Sequence, residues 1–569
     1  MEKEAVTDER ESSPPTPSHS VPHDDSDDIM PRIKIRTIIL IIAVCLTYFA
    51  GVANVVGAGA YARDLAAVVG GSDQSTWLAN SIAILTVILS PPISEAADFW
   101  GRKWFLVGLT SMGCIGCIIV GTATSMGTAI VGQIIAGISY GAQPLVHAVP
   151  SEVLPRRVRP IAQAAVNLSA ALAIIFGLLV GSALTRHNTS GFRTYWYITA
   201  GLFAAAALAV AILYNPPLRE LQKVLSQREK LASLDWIGIA LLSCGLVLFC
   251  MSLTWSQNPY PWSNAHVLAT FVLGIILTLM LIVYEVRFKH DGIFHHDLFQ
   301  RSRNFGIALG CIFVEGLVFF TCNNYFPFEV STLYETDVLI VGLRYSLFAI
   351  TFGISTCVTG YYCSRTKSVR LPAVFAFILF LAFCIAMATA TIGSNRSVVG
   401  YPVIFGAGLG ICLNILMTAA QFGTPPELIA TASGLMIGVR SLGGSVGLAI
   451  YNAIFTHTLS ANLASKVPGA VLPLGLPPSS LGSFISAMTL GQTDALNKIP
   501  GVSASIIQAG GNAVKEAYCV AFRNVWITAG CFTFIALIAA LFLQDPTADF
   551  NVQIDAPLEP VESSSISKI

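Results

Sequence analysis

Charge is what this chain has least of. Only 11% of its 569 residues are Asp, Glu, Lys or Arg, against roughly 25% in an average soluble domain. With 54% hydrophobic residues and a mean hydropathy of +0.69, there is too little polar surface to clothe soluble domains of this size, which leaves an integral membrane protein. Neither sign is in excess, with 32 basic and 32 acidic residues, which excludes a basic nucleic-acid binder. The thirteen cysteines fall in apolar runs, for example at Cys45, Cys311, Cys357 and Cys412, so a disulfide framework is not expected. Cys114 and Cys117 have CxxC spacing without a second pair, and no metal site is expected. No cleavable signal peptide is read at the start of the chain. GxxxxGK[ST] and HExxH are both missing, and no loop is long enough for a cytosolic catalytic or nucleotide-binding domain, which argues against an ATP-driven pump, an enzyme and a bound cofactor.

Long apolar runs, by contrast, abound. Residues 1–33, rich in Ser, Pro, Asp and Glu, read as a disordered tail. Beyond them fourteen stretches are long enough to cross the bilayer as helices: 34–58, 76–97, 103–123, 127–149, 160–184, 193–214, 235–254, 265–286, 304–326, 338–361, 370–392, 398–420, 428–455 and 525–543. The spacing groups them as six helices (34–214), a linker with two extra helices (215–303) and six more (304–543), followed by a tail (544–569). Two six-helix halves around a midplane site are the plan of a rocking secondary transporter. The outer loop 456–524 carries an interrupted apolar stretch, Leu472 to Leu490, expected to lie on the surface as a helix.

An even span number puts both termini on one side. With that side cytoplasmic, nineteen Lys and Arg from Arg32 to Arg370 fall inside and eight outside, the asymmetry membrane proteins show. Two sequons, at Asn188 and Asn395, then lie outside as glycosylation candidates. All eight Trp fall near expected helix ends, as in an interfacial belt.

Between the second and third spans stands Asp98-Phe99-Trp100-Gly101-Arg102-Lys103. An acid at a helix end, a Gly for the turn and two cations make a charge latch, so Asp98, Gly101, Arg102 and Lys103 are gating candidates. Ionisable residues deep in a span are costly and mark function by default. Glu315 is the carboxylate placed near the middle of the ninth span, and a proton-coupling or a structural role is open to it. Arg440, at similar depth in the thirteenth, needs a partner, which Glu315, backbone carbonyls or a substrate could supply. Arg344 is expected to snorkel. Neutral polar residues within the spans are Asn54, Gln143, His147, Asn167, Asn323, Asn324, Asn414 and Asn452. Each is a candidate either for a cavity wall suited to an amphipathic organic ligand or for helix packing.

The stretch Ser94 to Lys103 resembles the loop 2-3 motif of the major facilitator superfamily, with Ser94 in place of the first Gly. Gly137 resembles the motif of the fourth helix, where Gln133 replaces a buried Arg. Gly177 and Gly181 resemble the antiporter motif of the fifth, where Leu178 replaces its Pro. Trp77-Leu78-Ala79-Asn80, Leu234-Asp235-Trp236-Ile237-Gly238, Tyr260-Pro261-Trp262, Arg440-Ser441-Leu442-Gly443-Gly444-Ser445-Val446-Gly447 and Ile499-Pro500-Gly501-Val502 are similar to the fourteen-helix fungal branch of trichothecene efflux pumps and siderophore transporters. The resemblance implies an all-α membrane protein of the major-facilitator fold. It further implies a monomer in the plasma membrane that exports a hydrophobic or amphipathic small molecule, such as a fungal metabolite or toxin, at the expense of protons. The alternatives are proton-coupled uptake of a ferric siderophore and a transport-dead sensor or scaffold. Some proton-coupled relatives keep an acid in the first helix; this chain has none between Ile38 and Tyr61, so the coupling group must be sought elsewhere.

Overall fold

A computed structural model describes residues 33–558 other than 187, 189, 218–221, 223, 225, 257–259, 290–291, 490–495 and 497. The N-terminal tail expected over 1–33 therefore lies almost wholly outside the described residues. Fourteen helices are long and apolar enough to cross a membrane. They are α1 Ile35–Ala60, α2 Trp77–Trp100, α3 Arg102–Thr122, α4 Met126–Val153, α5 Arg156–Thr185, α6 Gly191–Leu213, α7 Trp236–Trp255, α8 Ala265–Arg287, α9 Arg303–Leu333, α10 Ile340–Thr366, α11 Arg370–Ala388, α12 Asn395–Phe422, α13 Pro426–Val471 and α14 Ala504–Ala540.

Helices α1–α6 pack on one another, and so do α9–α14. The two groups meet along α2 against α13 and along α5 against α10. Helices α7 and α8 form a hairpin that docks through α7 onto α2 and α13, leaving α8 with the least buried surface of the fourteen. The start of α1 and the last described residue, Leu558, share one apolar cluster with Leu145 and Val158. Both ends of the described chain thus lie at one end of the bundle, here termed the tail face; the opposite end is the loop face.

Small residues set the closest crossings. A side chain on Gly316 would come within 2.1 Å of the Arg440 carbonyl oxygen, and one on Gly443 within 2.2 Å of the Phe313 carbonyl oxygen. Glycine lets the backbones of α9 and α13 touch there, as small residues do when helices pack in lipid. Helix α4 is broken by a 3-10 turn at Ile138–Ala142. Pro144 stands in the first turn of the helix that resumes at Gln143; it lacks the N–H that a continuous α-helix would require.

Three expectations are corrected. The segment 456–524 is largely an extension of the membrane helices: α13 continues to Val471 and α14 already begins at Ala504. The stretch from Leu472 does not form one surface-lying helix, because turns and a 3-10 segment lead into a short helix, Leu481–Thr489. Its Phe484 is buried in a small core with Val467, Val471, Ile506 and Val514. Trp196 and Trp526 are not interfacial; both are fully buried, their indole N–H groups donating to Asn54 Oδ1 at 3.1 Å and Glu329 Oε2 at 2.7 Å. Arg344 reaches to the loop face, where it donates to Asn395 Oδ1 at 2.6 Å and pairs with Glu335 at 3.3 Å.

Candidate functional site: a buried ion pair and a gate on the tail face

Glu315 and Arg440 meet. Arg440 Nε lies 2.6 Å from Glu315 Oε2 and Nη2 lies 3.0 Å from Oε1, the two-pronged geometry in which guanidinium and carboxylate bind most strongly. The Gly316 and Gly443 contacts bring the two helices close enough for this. The Glu315 side chain is fully buried, whereas that of Arg440 keeps 21% of its surface accessible. The guanidinium also stacks 4.6 Å from the centre of the Phe319 ring. Tyr48 of α1 and His147 of α4 lie within electrostatic reach of Arg440, so the pair, carried by α9 and α13, faces the other helix group. Burial of two charges is tolerable only with such complete pairing.

On the tail face three of the four gating candidates, Asp98, Gly101 and Arg102, come together. Gly101, at φ +90°, makes the turn between α2 and α3, a conformation glycine adopts at little cost. Asp98 Oδ1 accepts from Arg102 at 2.8 Å, and Arg102 also pairs with Glu152 at the end of α4. Asp98 Oδ2 accepts from the backbone N–H of Thr431 at 3.3 Å and from its hydroxyl at 2.8 Å. Thr431 lies in the first turn of the regular helix of α13, where free N–H groups and the helix dipole favour an anion. One carboxylate therefore ties α2 to the other helix group. Lys103 is outside this assembly; it turns to Asn215 and the Trp104 ring.

A second knot lies beside the first. Gln421 of α12 donates to the His147 carbonyl oxygen at 3.3 Å and to Ser433 at 3.1 Å, and its Oε1 accepts from Gln163 of α5 at 3.3 Å. Arg159 donates to the carbonyl oxygens of Ser151 at 3.1 Å and Gln421 at 3.3 Å. Hydrogen bonds thus close the two helix groups on each other at the tail face. Neither Arg159 nor Glu152 stood out in the sequence as more than a loop charge. The one available signal was that Glu152-Val153-Leu154-Pro155-Arg156-Arg157 repeats the acid-then-cations order of residues 98–103.

The neutral polar residues divide. Asn54 is buried within the first helix group, where it donates to Gln133 Oε1 at 3.1 Å and accepts from Trp196. Asn414 donates to the Thr356 carbonyl oxygen at 3.0 Å. His147 is buried, with Nδ1 2.7 Å from Gln163 Oε1 and its ring edge-on to Tyr48. Asn167 is buried on α5, while Asn452 is half-buried on α13. Asn323 accepts from the Tyr345 hydroxyl at 3.0 Å, and Asn324 bonds its own helix at Phe320. Gln143 lines a narrow cleft of about 10 Å³ between α1 and α4 with Thr47, Tyr48, Gly51, Ser139 and Tyr140. Of the sequons, Asn188 is exposed, and Asn395 is engaged by Arg344. Sequence reasoning missed Glu329 and Glu285, both buried acids near helix ends. Among the described residues no group of His, Cys, Asp and Glu could hold a metal ion.

The sequence model of the fungal trichothecene efflux pump family, TRI12, matches residues 14–555. The chain belongs to that family. It is 23% identical over 460 residues to the trichothecene efflux pump TRI12 of Fusarium sporotrichioides, covering 80% of this chain and 77% of that one. It is 22% identical over 478 residues to the dehydrocurvularin exporter of Alternaria cinerariae, covering 82% and 78%. Among solved structures, the human organic anion transporter MFSD10 superposes with a TM-score of 0.51 at 13% identity, covering 87% of this chain and 98% of that one. That likeness carries the fold alone. The TRI12-family chain is thus a multi-pass major-facilitator transporter of the efflux type, with two six-helix halves and α7 and α8 inserted between them.

Proposed function

We propose that the chain exports a hydrophobic or amphipathic small molecule, of the class of fungal metabolites and toxins, across the plasma membrane as a monomer, and that a proton at Glu315 drives the cycle. The tail face is read as cytoplasmic. The observation that supports this reading is the Glu315–Arg440 pair: a carboxylate fully buried at mid-membrane depth, joined to a partly accessible arginine that faces the opposite half. While the tail face is closed, the pair is reached from the loop face. A proton arriving there neutralises Glu315 and removes the attraction that holds Arg440. When the tail face opens, the proton leaves to the other side and the pair re-forms. The guanidinium is then alternately held and free, which couples proton movement to the shape of the cavity. A few polar side chains set among apolar and aromatic spans, such as Tyr48, Tyr140 and Gln143, support an amphipathic ligand over an ion or a sugar.

The test is Glu315→Gln in sealed vesicles, with net efflux, substrate exchange and membrane abundance measured together. Net proton-driven efflux is expected to fail while exchange persists. Poor folding of Glu315→Gln, rescued by adding Arg440→Gln, would instead assign the carboxylate to neutralising the arginine. Wild-type values in all three assays would remove Glu315 from coupling. A deletion strain that cannot grow on a ferric siderophore as its iron source would reverse the direction of transport.

A further inference from the structure

The tail beyond α14 does not hang free. Its first residues belong to the C-terminal half: Asn304 and Gln544 exchange hydrogen bonds at 2.8 and 2.9 Å. Asp545 accepts from the backbone N–H groups of Val369 at 2.7 Å and Arg370 at 2.9 Å. Phe550 is buried with its ring centre 4.4 Å from that of Phe422, at the end of α12. The chain then crosses to the N-terminal half. Arg156 and Arg157 donate their backbone N–H groups to the carbonyl oxygens of Gln553 at 2.9 Å and Asn551 at 2.8 Å, and Ala556 donates to that of Glu152 at 2.9 Å. Asp555, with a side chain 1% exposed, takes Arg156 at 2.7 Å and also pairs with Arg159. Leu558 closes the crossing in the cluster of Leu145 and Val158.

We infer that the turn Arg156–Arg159 is a binding site for the chain's own C-terminal segment 550–558, and that occupancy of this site holds the tail face shut. The inference rests on the alternating-access reading given above. Four residues separate Phe550 from Asp555, five Cα-to-Cα steps or at most about 18 Å of extended chain, so the strap has little slack. If the halves part at this face, Phe550 stays with Phe422 or Asp555 stays with the arginines, but not both. Arg159 connects the strap to the gate, because the guanidinium held by Asp555 also bonds the Gln421 carbonyl oxygen of the opposite half. Releasing Asp555 leaves that buried cation with weaker neutralisation, which Asp549 supplies from farther off, and loosens the knot around Gln421.

Hydrogen–deuterium exchange on the full-length purified transporter reads this without any substrate. Asp555→Asn and a chain stopped after Asp549 are each compared with wild type and with Asp555→Glu. The expected result is amide exchange roughly tenfold faster at 145–165 and 420–433 in the first two, a loss of protection of the size a charge-assisted contact supplies, with Asp555→Glu near wild type. Unchanged exchange at those segments after truncation would overturn the proposal. So would faster exchange spread through α9 and α13 around Glu315 and Arg440, since that would make the strap a folding element. Normal net efflux by Glu315→Gln would sink the proton-coupling reading and leave this result untouched.

Discussion

Asp98 commits its whole carboxylate to the tail-face contacts proposed as a gate, one oxygen on Arg102 within its own half and the other on Thr431 of the opposite half. Asp98→Asn keeps the volume but replaces one oxygen by an N–H donor, which cannot accept from Thr431 and Arg102 together. Hydrogen bonds to charged groups contribute about 1.5–3 kcal/mol each, enough to shift a closed gate toward open by one to two orders of magnitude. Membrane abundance should stay near wild type while transport falls at least about tenfold, the factor that 1.4 kcal/mol represents. Vesicle uptake and surface expression measured on the same cells check this, and normal transport by a well-expressed variant would show that the charge does not gate. The acid, the glycine turn and the cation were readable from six consecutive residues. Thr431 was not, because it is 333 positions away and is marked by no pattern of its own.

The crossing of α9 and α13 makes a demand on packing that a single methyl group can test. Gly316→Ala drives a Cβ against the backbone oxygen of Arg440, an immovable neighbour, and Gly443→Ala does the same at Phe313. Overpacking of this kind costs about 1–3 kcal/mol, and it also displaces the Glu315–Arg440 pair. A lower melting temperature in detergent and weakened net transport are expected for both. Gly310→Ala, with nothing within 4 Å of the added carbon, should match wild type; equal behaviour of all three would mean that the crossing tolerates expansion. At the loop face, Phe484→Ala empties the centre of the small core beneath the helix Leu481–Thr489. Phe→Ala in a core costs about 3–5 kcal/mol, so limited proteolysis should cut within 472–503 while the membrane-spanning fragments stay intact. Hydropathy located the spans but misplaced the ends of α13 and α14. Segments such as Thr456 to Lys466 are too polar to read as membrane helix, yet the helix continues because Thr458 and Lys466 bond Asn524 and Glu516 of α14 and Val467 and Val471 beyond them join the core around Phe484.

For the molecule as a whole, both ends of the described chain lie on one face, and the strap from the C-terminal half bridges the two halves there. A tag at either terminus should resist external protease on intact cells and become sensitive after permeabilisation. Digestion of an N-terminal tag on sealed cells would reverse the orientation proposed here. On the proposal made above, opening of the whole bundle depends on whether the tail occupies the Arg156–Arg159 turn.

Composition alone determined a membrane protein, because 11% charge cannot solvate a soluble surface of this size. Apolar run length determined fourteen helices, since in lipid a helix satisfies its own backbone within one local segment. Those are local properties, and a linear string carries them. The pairing of Arg440 with Glu315, of Asp98 with Thr431 and of Asp555 with Arg156 and Arg159 was decided only by the tertiary structure. Residues 399 positions apart in the Arg156–Asp555 case become neighbours through helix packing, and in a chain this apolar each buried charge must find a partner wherever packing brings one.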